Sequence, residues 1–182
     1  MPTSTRRVVL VAAVGAEILD LIGPFQVFTT ATSLFRNRHP NAAAIYRVEI
    51  VTCSRQAAFM TNCGLQMVAH RIFRDVRGEV DTLLVAGGCA IEDDRTSSQT
   101  IRWIRQLAAQ TRRVGSVCTG ALLLARAGLL DGRRVTTHWN WCQRLAERYP
   151  QVRVEPDPIF IRDGNVYTSA DSLNSAPLFP CS

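Results

Sequence analysis

Polar and apolar positions along this chain switch between two periods. Residues 7–14 run Arg-Val-Val-Leu-Val-Ala-Ala-Val, short, continuous and β-branched, which predicts a strand buried on both faces. Leu19 to Phe35 reads as a helix, with Gly23-Pro24 near its start, where proline is tolerated, and residues 36–41 as a loop. Tyr46 to Cys53 alternates and predicts a second strand, and residues 58–76 suggest short extended pieces. Asp81 to Ala86 is another buried strand, ending in Gly87-Gly88. Ser98 to Ala109 places Ile101, Ile104, Leu107 and Ala108 at helical spacing. An apolar run then ends at Cys118, and a helix-forming run follows at once. A turn at Gly128 to Gly132 precedes a strand at Arg134 to Thr137 and a helix at Trp139 to Tyr149. Residues 152–169 read as strands, with Asp163-Gly164 as a hairpin turn. Strands and helices in alternation predict an α/β fold, a three-layer doubly wound sandwich with a mostly parallel sheet.

The segment Val114-Gly-Ser-Val-Cys-Thr-Gly-Ala-Leu-Leu-Leu-Ala125 stands out chemically. Gly115, Ser116, Thr119 and Gly120 are small, as a sharp strand-to-helix turn with a reactive side chain at its tip requires. The helix start would direct N–H groups at the Cys118 sulfur and favour its thiolate. A structural cysteine closing a core strand has the same spacing.

Charge changes this picture little. All 21 basic residues are arginine, against 15 acidic ones, a net charge of +6. They are scattered and not interleaved with aromatics, so they read as solvated faces rather than a nucleic-acid surface. The first sixteen residues fit either a short signal peptide or the first core strand. The strand reading is preferred, and with it a cytoplasmic location. No run approaches the roughly 18 apolar residues of a membrane span. The six cysteines (53, 63, 89, 118, 142 and 181) contain no CxxC pair and read as reduced thiols. His39, His70 and His138 show no ligand spacing with them, so no metal and no cofactor is expected. Cys89 follows the glycine pair and is read as a small packed residue, with a second pocket thiol as the alternative.

Five segments, in order, resemble the ThiJ/PfpI superfamily with its class I glutamine amidotransferase-like fold. They are Leu19-Asp-Leu-Ile-Gly-Pro24, Val85-Ala-Gly-Gly88, Gly115-Ser-Val-Cys-Thr-Gly-Ala121, Val135-Thr-Thr-His-Trp139 and Arg162-Asp-Gly-Asn-Val-Tyr-Thr-Ser-Ala170. The wording is similar both to the ligand-sensing domain of AraC-type (GlxA-like) regulators and to isonitrile hydratase; residues 149–160 look more like the regulators. The resemblance implies Cys118 as nucleophile, with Asp20 hydrogen-bonded to its sulfur. It implies Gly88 and Thr119 as oxyanion-hole N–H donors, and His138 beside the pocket. It further implies a small-molecule ligand and a homodimer. Protease-like and amidotransferase-like members place a histidine after the nucleophile. Here Thr119 stands there, so a Cys-His-acid triad is not expected.

Residues 1–170 are therefore expected to form one DJ-1/PfpI-like domain. Residues 171–182, with Pro177 and Pro180, replace the family's last helix and are too few for a helix-turn-helix domain. A sensing domain without its DNA-binding output is the leading expectation, with no sequence-specific DNA binding by this chain. A cysteine-dependent hydro-lyase of the isonitrile hydratase type is second, and a redox or carbonyl-stress protein third.

Overall fold

The computed structural model describes residues 5–89 and 96–170; the tail at 171–182 lies outside them. Strand β1 (Arg6–Ala12) lies inside a seven-stranded sheet, between β6 (Thr82–Val85) and β2 (Tyr46–Thr52). Its alternate side chains divide between two cores. Val9, Val11 and Ala13 enter one, and Val8, Leu10 and Ala12 the other. Burial on both faces is why this segment is an unbroken apolar run.

The sheet order is β10-β11-β7-β6-β1-β2-β5. β2 (Tyr46–Thr52), β5 (Arg71–Ile72), β6 (Thr82–Val85), β7 (Arg113–Val117) and β11 (Val166–Ser169) are parallel to their neighbours. Only the edge strand β10 (Phe160–Asp163) is antiparallel, joined to β11 through the predicted hairpin turn at Gly164. β3 (Ala58–Met60) and β4 (Gln66–Val68) form a separate antiparallel hairpin, and β8 (Arg134–Val135) pairs with β9 (Arg153–Val154). Helices α2 (Ser98–Ala108), α3 (Gly120–Arg126) and α4 (Cys142–Arg148) supply Ile101, Ile104, Leu123, Leu124 and Leu145 to the first core. Helix α1 (Ile18–Arg38) covers the second with Leu21, Phe25 and Phe28.

The predicted architecture holds, with shifts at element ends. α1 runs through Arg38, into the predicted loop, and holds Pro24 inside it, past the first turn where proline is tolerated. The predicted strand at 134–137 stops at Val135, and the predicted helix at 139–149 opens as a 3-10 turn over Trp139–Trp141. His138 is the reason for that turn: its Nδ1 accepts from Asn140 N–H at 3.3 Å and caps it. By length and composition α1 is apolar enough to cross a membrane, contrary to the sequence reading; here it lies on β1 and β2.

One buried charge reinforces the sheet. Glu49 on β2 is 3% exposed and binds Arg7 of β1 (2.6 Å), Arg47 (2.8 Å) and Arg71 of β5 (3.4 Å). Burial pushes its carboxyl up, but the Arg7 hydrogen bond and the three guanidinium charges outweigh this and leave it below its ordinary value. The folded chain therefore binds the Glu49 proton less readily than the unfolded one. The contribution is fully present above the unfolded value of about 4.3 and is lost as pH falls through the folded one. Replacing Glu49 by Gln should cost about 1–2 kcal/mol at neutral pH. It should also flatten the acid limb of stability against pH, read by urea unfolding; an unchanged acid limb would remove Glu49 as its source.

Candidate active site at the strand ends

The chain leaves β1 on one side to form β2 and returns on its other side as β6, so the sheet reverses its order between β1 and β6. Open α/β sheets bind ligands outside the carboxyl ends of the strands at such a point. Two loops meet there. Glu17 N–H donates to Gly87 O (2.9 Å), and Ala16 bridges to Gly88.

Cys118 follows β7 directly and has φ +55°, the one positive φ outside glycine among the described residues. A side chain in this left-handed region is strained by roughly 1–2 kcal/mol. Neighbours on both sides fix it: Cys118 N–H donates to Ser169 O on β11 (3.0 Å), and Thr137 Oγ1 donates to Cys118 O (2.8 Å). Behind the turn, a methyl group on Gly120 would lie 2.2 Å from Val85 O. The short helix α3 can therefore start against the end of β6 only with glycine there.

Asp20, in the first turn of α1, is 1% exposed, and its Oδ2 accepts from Gly87 N–H at 2.9 Å. Gly87 is where the site residues meet. A methyl group there would lie 2.7 Å from Asp20 Oδ2, 2.8 Å from Thr119 Oγ1 and 3.0 Å from Cys118 Cβ. Gly88 N–H, expected from the resemblance to serve an oxyanion, donates to the Thr119 hydroxyl at 3.0 Å.

A pocket of about 180 Å³ opens above these residues, lined by Gly88, Cys118, Thr119 and His138 together with Glu17, Asn62, Cys89 and Trp141. Four of the five residues singled out from the sequence thus share one pocket, and Asp20 lies beneath it against Gly87. Cys89 is exposed and lines the pocket, contrary to the packed reading. Glu17 and Asn62 had not been singled out. They come from the end of the β1 loop and the tip of the β3–β4 hairpin, and Asn62 Nδ2 donates to Glu17 Oε2. The hairpin tip is anchored by Asn62 N–H to Ala16 O (3.1 Å). Among the described residues no group of histidines, cysteines and acids could hold a metal ion.

The other thiols differ sharply. Burial pushes Cys53 up to about 12, against a weaker opposing hydrogen bond with Thr100, and burial also raises Cys142. Cys63 is exposed at the hairpin tip. Hydrogen bonding with Thr61, helped by the backbone at Leu65, lowers it, while the Glu17 carboxylate opposes the shift.

The DJ-1/PfpI family model matches residues 6–179. The chain belongs to the DJ-1/PfpI family. It is 37% identical over 150 residues to the uncharacterized protein in the cpoL 5' region of Streptomyces lividans, covering 82% of this chain and 99% of that one. It is 35% identical over 153 residues to isonitrile hydratase of Pseudomonas putida, covering 82% of this chain and 58% of the hydratase. It is 38% identical over 99 residues to the HTH-type transcriptional regulator GbdR of Pseudomonas aeruginosa, covering 54% of this chain and 26% of the regulator. The family chain therefore spans one relative almost entirely and the other two only in part. In fold, it superposes on Drosophila melanogaster DJ-1beta with a TM-score of 0.77 at 18% identity, over 93% of this chain and 83% of that one.

Gly87→Ala should cost about 1–3 kcal/mol, since its methyl group meets three site residues at once. It should also change the alkylation rate of Cys118, read on its own peptide by mass spectrometry, while Cys53 and Cys142 stay unlabelled until the chain unfolds. A Cys118 rate unaffected by this substitution would show that Gly87 does not hold the site together.

Proposed function

We propose that this chain is a ligand-sensing domain of the kind carried by AraC-type regulators, with the pocket over Cys118 as its small-molecule site. One observation carries this reading. Thr119 follows Cys118 where the family resemblance places a histidine in protease-like members, and its hydroxyl takes the N–H of Gly88. An N–H already engaged by the protein's own side chain stabilises a developing oxyanion poorly. What is left is a strained, held thiol at the bottom of a small pocket, suited to recognition. The match to GbdR supports the same reading. Cys118 and His138 then recognise the ligand, with Asp20 holding Gly87 beneath them, and the DNA-binding output resides in the additional length such regulators carry.

Hydration of an isonitrile is the second reading, favoured by Asp20 and Cys118 both lying against Gly87 and by the longer match to the hydratase. Two anions side by side repel, so in this reading the pair shares one proton. The Cys118 sulfur would attack the terminal carbon of R–NC while Asp20 delivers a proton to that same carbon, giving a thioimidate. Water would then add at that carbon, and expulsion of the thiol would leave R–NH–CHO. No oxyanion forms in the first step, so the engaged Gly88 N–H is no obstacle to it.

The two readings part in one experiment. With excess simple alkyl isonitrile, a sensor gives no more than one equivalent of N-alkylformamide per chain. A panel of small metabolites should instead contain one that raises the melting temperature by several degrees when well above its Kd, with the shift lost in Cys118→Ala. Formamide accumulating over many equivalents, and abolished in Cys118→Ala, would replace the sensor by the hydratase.

A further inference from the structure

The pocket has a charge of its own, opposite to that of the chain. The protein carries 21 arginines and a net charge of +6, yet among its described residues no arginine lines the Cys118 pocket. Arg144 stacks on the Trp141 ring, 4.9 Å from its centroid, and is not itself a lining residue. The charge that does line the pocket is the carboxylate of Glu17.

Glu17 is held in place rather than swinging in solvent. Its backbone N–H donates to Gly87 O, and its carboxylate accepts from Asn62 Nδ2 at the hairpin tip. It is the N-terminal flanking residue of α1, in extended conformation, and makes no hydrogen bond that caps the helix. Its side chain is therefore committed to the pocket and not to its own helix. The pocket's 180 Å³ lies below the ~300–1,000 Å³ of sites for drug-sized ligands, so its occupant is small.

We infer that Glu17 is a specificity-determining residue: it closes the Cys118 pocket to anions and reserves it for small uncharged or cationic ligands. This rests on the reading above, that the pocket is the ligand site. Carboxylate metabolites are thereby rejected despite the long-range attraction of a chain with net positive charge. The anion is turned away only at the last few ångströms, where the local carboxylate outweighs distant arginines screened by salt.

Two alkylating probes of nearly equal size test this on the whole chain. Iodoacetamide and iodoacetate each form one carbon–sulfur bond with the thiol and release iodide; the first is neutral and the second an anion. Rates are measured separately at about pH 8 on the tryptic peptide containing Cys118, and each is divided by its rate on the urea-denatured chain. The normalised preference for iodoacetamide should be about fivefold, and smaller at high salt. Glu17→Gln should remove most of it. Asn62→Asp, which replaces the amide on Glu17 by a second carboxylate in the pocket lining, should increase it.

A normalised preference near one, or a preference untouched by Glu17→Gln, overturns the role of Glu17 and leaves the ligand site standing. A Cys118 that keeps the charge preference, in a chain whose melting temperature no small metabolite shifts in a Cys118-dependent way, does the reverse: it retains the selectivity and removes the ligand site. A native Cys118 that reacts with neither reagent shows a closed pocket and overturns both.

Discussion

The structure depends on a close approach that only glycine permits. The loop after β6 is pressed between the loop after β1 and the turn after β7, and at Gly87, Gly88 and Gly120 a methyl group would collide with backbone or with the site itself. At Gly88 the obstacle is Gly15 O, 2.5 Å from where the carbon would stand. Everything chemical is gathered by this contact. It brings Asp20 of α1 and the turn after β7 against one glycine and lets the β3–β4 hairpin close the side. Neighbouring parallel strands lie about 4.8 Å apart, so side chains at three adjacent strand ends can share one small volume once the loops contain no bulk.

Much of this was legible in the order of residues, for identifiable reasons. A strand buried on both faces must be apolar throughout, so β1 and β6 were plain. Small residues around Cys118 announced a sharp turn, and the turn is there with φ +55°. Asp20 and His138 came from the family resemblance rather than from periodicity. An acid near a helix start has an ordinary explanation, and nothing local says that Asp20 is buried against a loop 67 residues away. Glu17 and Asn62 carried no signal, because what places them is the docking of a short hairpin on the β1 loop. The signal at Cys89 was ambiguous. A small thiol after two glycines suits packing as well as a pocket wall, and only the path of the loop decides.

The engagement of Gly88 by Thr119 was out of reach for a different reason. The resemblance assigns both residues to one function through their backbone N–H groups, and a family motif says nothing about what a hydroxyl will do. Thr119, a short β-branched alcohol, turns onto the neighbouring glycine and occupies a hydrogen-bond donor that the resemblance assigns to an oxyanion.

The left-handed backbone at Cys118 has a further consequence, for what the chain could become. Glycine at this position would relieve the strain and still make the turn, so the most stable version of this fold lacks a thiol there. The cysteine thus runs against the stability gradient, in the one conformation where almost any side chain is a liability. A lineage that ceased to need the sulfur would have an uphill path in stability open to it through a single replacement. This is a stability–function trade-off written into one torsion angle.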